Sequence, residues 1–134
     1  MRVTWNIDDV DGIDPVDLLG SFRITDSSDG VIECNCIYID SIFLALASGL
    51  YCVKDQSVFK SEIIDEPGLM EFQTFGAELE IRFDGVVRVK YLEAVSETCR
   101  SYQELSNYLK PFGGVGLFKE LNSCLLYTSD AADE

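Results

Sequence analysis

The sequence predicts an α+β domain: a mainly antiparallel, twisted sheet with two helices packed on one face, in the order β-β-β-α-β-β-β-β-α. Three observations carry this. Short segments with apolar residues at alternate positions, such as "VTWNI" and "LMEFQTF", recur along the chain. One apolar stretch, "IFLALASGLYCV", switches to helical spacing in their midst. A second helical stripe, in "SYQELSNYLKPF", follows the last of them. The chain has 134 residues, 47% of them hydrophobic, which suits one domain with one modest core.

The elements follow in order. "VTWNI" places Val3, Trp5 and Ile7 on one face of a half-buried strand. "DDVDGIDPVD" is a turn-rich acidic loop, and "SFRIT" is a second strand with Phe22 and Ile24 inward. "DSSDG" is a turn. "VIECNCIYI" then sets Ile32, Cys34, Cys36 and Tyr38 on one face. Asp40 is the expected N-cap of the first helix, where Ile42, Phe43, Leu46, Gly49, Leu50 and Val53 recur at helical spacing. Ala45 and Ala47 leave its back face apolar too, so it should lie across the sheet as the central packing element. Gly49 costs a helix roughly 1 kcal/mol against Ala and offers close approach to a strand.

"SVFKSEII" and "LMEFQTF" are the next strands, broken apart by Pro67 and Gly68. In "AELEIRFDGVVRVKY" a two-residue turn would mix Arg88 and Lys90 into the apolar face. A three-residue loop, Phe83-Asp84-Gly85, sets Ile81 opposite Val87 and Leu79 opposite Val89, with Glu80 opposite Arg88 and Glu78 opposite Lys90. Gly85 would then take the left-handed position of the loop, and Phe83 would be partly exposed. Ser101 and Glu104 match a capping box for the last helix. Leu105, Tyr108, Leu109 and Phe112 form its stripe, and Pro111 ends or kinks it. Leu117, Phe118 and Leu121 would start a further helical turn.

Charge bounds the partners. Ten basic residues against 24 acidic ones give a net charge of −14. That argues against nucleic acid and against anionic membrane surfaces, and permits a basic protein partner. The longest apolar run, Ile42–Val53, is shorter than the roughly 20 residues that span a bilayer, and no secretory signal opens the chain. Together with cysteines best read as reduced thiols, this places the protein in the cytoplasm.

Motifs for chemistry are few. The sequence has no histidine, which removes Ser-His-Asp and Cys-His catalysis and the usual near-neutral base. Cys34-x-Cys36 lacks the spacing and the second pair of a zinc site. "DDVDGID" fails the calcium-loop pattern, which would need acids where Ile7 and Leu18 stand. "FGGVG" follows a helix and lacks a Lys-Ser/Thr, so it is no phosphate loop. No catalytic residue, cofactor or metal is expected, and the chain is read as a non-enzyme.

The order of elements, the small size and the acidity resemble the immunity proteins of bacterial polymorphic and contact-dependent toxin systems. "YIDSIFLALASGL" followed by a strand meander and a helix is similar to such domains, over most of residues 20 to 112. The resemblance implies stoichiometric binding of a basic toxin and carries over no functional residue. The acidic surface for such a partner would be the loop with Asp8, Asp9, Asp11, Asp14 and Asp17, and then Asp26, Asp29, Asp65 and Glu66. A small-ligand or regulatory domain, with a cavity lined by Phe43, Leu46 and Tyr38, is the alternative reading.

The final residues, "CLLYTSDAADE" (124–134), resemble the in-frame translation of a transposase-based sequencing adapter. The resemblance implies a native domain of residues 1–123, cut near Asn122, a non-native tail, and a metagenomic origin. Removing the tail takes away Asp130, Asp133 and Glu134 and no base, so the acidic balance stands.

Overall fold

Among the described residues, alternating apolar side chains form seven strands around two helices, in the order expected from the sequence. The computed structural model describes residues 1–8, 18–63 and 66–112. β1 (Arg2–Ile7), β2 (Leu19–Thr25) and β3 (Val31–Tyr38) form one antiparallel sheet. β4 (Val58–Glu62), β5 (Leu69–Phe75), β6 (Glu78–Arg82) and β7 (Val86–Lys90) form a second antiparallel sheet. Between them in sequence runs α1 (Ile39–Gln56), and α2 (Tyr91–Leu109) follows β7. The fold is therefore α+β, with its strands divided between two sheets. Among the described residues no helix is long and apolar enough to cross a membrane.

The β6–β7 hairpin has the register that its buried face requires: Ile81 opposite Val87, Leu79 opposite Val89, Glu80 opposite Arg88 and Glu78 opposite Lys90. Its loop differs from expectation in two respects. Asp84, not Gly85, holds the positive φ, at 52°, a region that Asp tolerates better than most residues. Gly85 is needed for space instead: a Cβ there would lie 2.1 Å from the Val31 carbonyl oxygen. Phe83 is buried and belongs to the core. The starts of β3 and β7 thus lie side by side, and the two sheets meet along that seam.

β3 departs from simple alternation. Ile32 and Cys34 point inward, but the pairing with β2 shifts between Gly20 and Phe22, and Cys36 takes a φ of 54°. This bulge puts Ile37 into the core and leaves Cys36 exposed. Cys34 and Cys36 therefore do not share a face.

α1 starts two residues earlier than its expected cap would allow. Tyr38 is the N-cap, and Asp40 sits in the first turn, where its charge favours the positive end of the helix. Ile42, Phe43, Leu46, Gly49, Leu50 and Val53 are all buried, as their spacing requires. Gly49 rests on β5: a Cβ built on it would lie 2.0 Å from Cε1 of Phe72. Phe43 packs edge-on against Phe22 at 5.1 Å and against Tyr102 of α2 at 5.8 Å. The Tyr91 hydroxyl donates to the Leu50 carbonyl at 2.6 Å and ties the start of α2 to α1.

α2 begins at Tyr91, so Ser101 and Glu104 lie inside it and form no capping box. Its buried face is Ala94, Val95, Thr98, Ser101, Tyr102, Leu105 and Leu109. Tyr108 is 42% exposed and meets Trp5 at 5.5 Å instead of the core. The α-helix stops at Leu109, and Pro111 lies in a 3-10 turn, Lys110–Phe112. The further helical turn at Leu117–Leu121 and the tail at 124–134 lie outside the described residues.

α2 also covers the free edge of β1. The Val3 amide donates to Glu97 Oε2 and the Val3 carbonyl accepts from Arg100, both at 3.4 Å. The Trp5 indole donates to the Ser101 carbonyl at 3.3 Å. Arg100 is held for this by ion pairs to Glu97 and to Glu104. Side chains thus occupy the backbone groups that another strand would seek. Glu97→Ala is expected to speed hydrogen exchange of the Val3 amide by about tenfold while the global melting midpoint falls only a few degrees. Unchanged exchange at Val3 would show that the contact does not protect the edge.

Candidate functional site

The strand registers place the candidate acids at opposite ends of the molecule. Asp8 follows β1, with its amide bonded to the Leu19 carbonyl at 2.9 Å where β2 begins. Asp26 and Asp29 lie past the other end of β2, roughly 20 Å away at about 3.3 Å per strand residue. Asp9, Asp11, Asp14, Asp17 and Asp65 lie outside the described residues.

Three turns meet at the second end. The β2–β3 turn and the β6–β7 loop touch, since a Cβ on Gly30 would come within 2.6 Å of the Val86 carbonyl oxygen. The β4–β5 turn points the same way: Glu62 pairs with Leu69, Glu71 with Arg82, and Arg82 with Val86. Asp26, Asp29, Glu66 and Asp84 are therefore brought to one pole. Two of them are felt by Cys34: burial first, then Asp84, Glu66 and the β3 residue Glu33, push its thiol up to about 11. That thiol stays protonated at neutral pH and is a packing group, not a nucleophile. Glu33 itself lies opposite Arg23 across β2–β3, so its charge is partly offset.

The four acids of the pole have different tasks. Asp26 is committed to the fold. Its Oδ1 accepts from the amides of Ser28 at 2.7 Å and Gly30 at 2.8 Å, and its Oδ2 from the amide of Arg88 at 2.9 Å. Burial works against its ionisation. The amides of Arg88, Ser28 and Gly30 outweigh it and hold the carboxyl below its ordinary value. One carboxylate thus shapes the turn and joins the two sheets. Asp29 and Asp84 are exposed at the tips, both with positive φ, and Glu66 is half-buried. Among the described residues the ion pairs engage Glu71, Glu80, Glu93, Glu97 and Glu104, and none of the pole acids.

Sequence reasoning did not single out Asp84. Each Asp-Gly pair, at 29–30 and 84–85, signals an acid at a hairpin tip. That the tips converge depends on the β3–β7 seam, which no local pattern announces.

Of the three residues named for a small-ligand cavity, Phe43 and Leu46 lie in the core and Tyr38 is half-buried. Phe43 and Leu46 are fully buried, and the rings of Phe22 and Tyr102 close on Phe43. A mainly polar hollow of about 160 Å³ on the outer face of the first sheet is lined by Thr4, Asn6, Ser21, Arg23 and Glu33, together with Trp5 and Phe22. It is open and lacks the apolar lining of a typical small-molecule site. Comparison of the chain with protein-family models, curated proteins and solved structures finds no match.

Proposed function

We propose that this chain is an acidic protein-binding domain that takes a basic protein at the pole formed by its three turns, as an immunity protein takes a basic toxin. One observation carries the reading. Asp29, Asp84 and Glu66 converge from both sheets, and among the described residues no cation is paired with them. Carboxylates held on tight turns present charge with little ordering cost, which favours both encounter rate and specificity. The acidic loop beyond Asp8 would be a second contact for the same partner or a separate one.

The reading needs no chemistry from the chain itself, in keeping with a sequence that has no histidine. Among the described residues the thiols of Cys34, Cys36 and Cys99 are in no disulfide, which favours a reducing compartment such as the cytoplasm.

The direct test uses the product of the gene immediately upstream, purified and mixed with the full chain. A 1:1 complex is expected in calorimetry, with affinity falling as salt rises. Where that product carries a toxic activity, the activity should be lost at one equivalent. Absence of a complex at low salt would overturn the reading.

A further inference from the structure

The two sheets end in strand edges at β1, β3, β4 and β7. α2 guards that of β1 with Glu97 and Arg100. β3 and β7 face each other at the seam, where Gly85 meets the Val31 carbonyl. β4 remains, and its pairing with β5 fixes which of its backbone groups point outward. The Thr74 amide donates to the Ser57 carbonyl at 2.9 Å, so Ser57 and Thr74 form a hydrogen-bonded pair. Alternation then turns the backbone of Phe59 and Ser61 toward β5 and that of Val58, Lys60 and Glu62 away from it. Among the described residues nothing is bonded to these outward N–H and C=O groups.

An unpaired edge is a template for another strand, and a lysine in a short edge strand ordinarily discourages such pairing. Here Glu62 stands beside that guard. It lies opposite Leu69 on β5, and among the described residues no cation is paired with it. Lys60 reaches Glu71 at 3.5 Å with both side chains about half exposed, so its ammonium keeps donors for a second carboxylate. Ser61 points the other way, toward the helices. It is 5% exposed, and its hydroxyl finds no partner among the described residues.

We infer that β4 pairs antiparallel with β4 of a second copy, about a two-fold axis through Ser61, so that the four-stranded sheets of both chains become one. This register sets Lys60 opposite Glu62 of the second copy, and Glu62 opposite its Lys60. Each such pair exchanges both backbone N–H···O bonds. Ser61 meets Ser61 of the second copy as a non-hydrogen-bonded pair, with Cα atoms roughly 4.5 Å apart, which brings the orphaned hydroxyls within reach of each other. Phe59, half-buried at the rim of the core, comes opposite Ile63. Other registers lack this fit. An axis through Lys60 sets that lysine against itself, and one through Phe59 leaves Glu62 beyond the end of the strand. A strand from a basic protein would satisfy Glu62 but face Lys60 with a cation. The contact is short and joins acidic chains, so the dimer is weak, with a dissociation constant on the order of 100 μM.

Amide hydrogen exchange of the full chain, read residue by residue at about 10 μM and about 1 mM, tests this without a partner, so its outcome is independent of the pole. The amides of Phe59 and Ser61 should be protected at both concentrations. Those of Lys60 and Glu62 should exchange fast in the dilute sample and several-fold more slowly in the concentrated one. Sedimentation equilibrium should show monomer passing to dimer over the same range. Glu62→Lys, at an exposed position, should weaken the dimer about tenfold by facing Lys60 of the second copy. Lys60→Glu/Glu62→Lys should restore it, since the exposed pair of Lys60 with Glu71 contributes little to the fold. Unchanged circular dichroism will confirm that each variant folds. A monomer at every concentration, or a dimer in which the Lys60 and Glu62 amides stay fast, would overturn the inference. So would protection already complete in the dilute sample, which would mean that the chain covers its own edge, or protection that appears only on adding the upstream gene product. A swap that fails to restore the dimer would overturn the register.

Discussion

Gly49→Ala is expected to destabilise this protein by about 2–3 kcal/mol, the reverse of the usual effect of that change within a helix. Alanine has the higher helix propensity, by roughly 1 kcal/mol. Local preference alone therefore forecasts a gain. The added methyl would sit 2.0 Å from Cε1 and 2.2 Å from Cζ of Phe72. That ring is 1% exposed and fixed between α1 and β5, so α1 must lift off the sheet or the ring must leave its rotamer. Thermal or denaturant unfolding of the two proteins decides the sign. Phe72→Leu supplies the control: it opens space beneath α1, so Gly49→Ala should cost much less in that background. Additive losses would show that the contact is not the cause.

Asp26→Ala should cost about 2 kcal/mol, or roughly 8 °C in melting midpoint, for a reason unrelated to binding. Three backbone amides lose their acceptor, and that of Arg88 lies across the seam between the sheets. Asp26→Asn retains one acceptor oxygen but can turn an N–H toward the other amides, so it should recover only part of the loss. The pH dependence has a definite sign. The folded carboxyl titrates below its ordinary value, so its contribution is complete above the unfolded value and is lost as pH falls through the folded one. The gap between wild type and Asp26→Ala should therefore be constant from neutrality down to about pH 4 and close below it. A gap that instead closes on raising the pH would exclude this role.

The β6–β7 register could be read from sequence because two independent requirements agree there. The apolar set Leu79, Ile81, Val87 and Val89 and the charge pairs Glu80–Arg88 and Glu78–Lys90 admit one alignment. The bulge at Cys36 could not, since Ile32, Cys34, Cys36 and Tyr38 alternate as though nothing intervened. The first half of α2 was hidden by its composition: Ala94, Thr98 and Ser101 are buried there yet do not form an apolar stripe. Among the described residues the side-chain hydroxyls of Thr98 and Ser101 find no hydrogen-bond partner, which sets them apart from usual core groups. Asp26, Asp29 and Glu66 were legible as exposed acids near turns. Their meeting with Asp84, and the diversion of Asp26 to the fold, depend on a contact between sheets that are distant in sequence.

The claim that the turn pole is a docking site for a basic protein is tested most directly by stopped-flow association with the upstream gene product. The informative variant is Asp29→Asn/Glu66→Gln/Asp84→Asn. It neutralises the pole, and asparagine tolerates the positive φ at positions 29 and 84. Asp26 is left intact, so the turn and the seam persist. The expected result is an association rate about tenfold below wild type at low ionic strength, with a shallower salt dependence and an unchanged melting midpoint. Wild-type rates and salt slope in the neutralised variant would contradict the claim and move the search for the binding surface elsewhere on the chain.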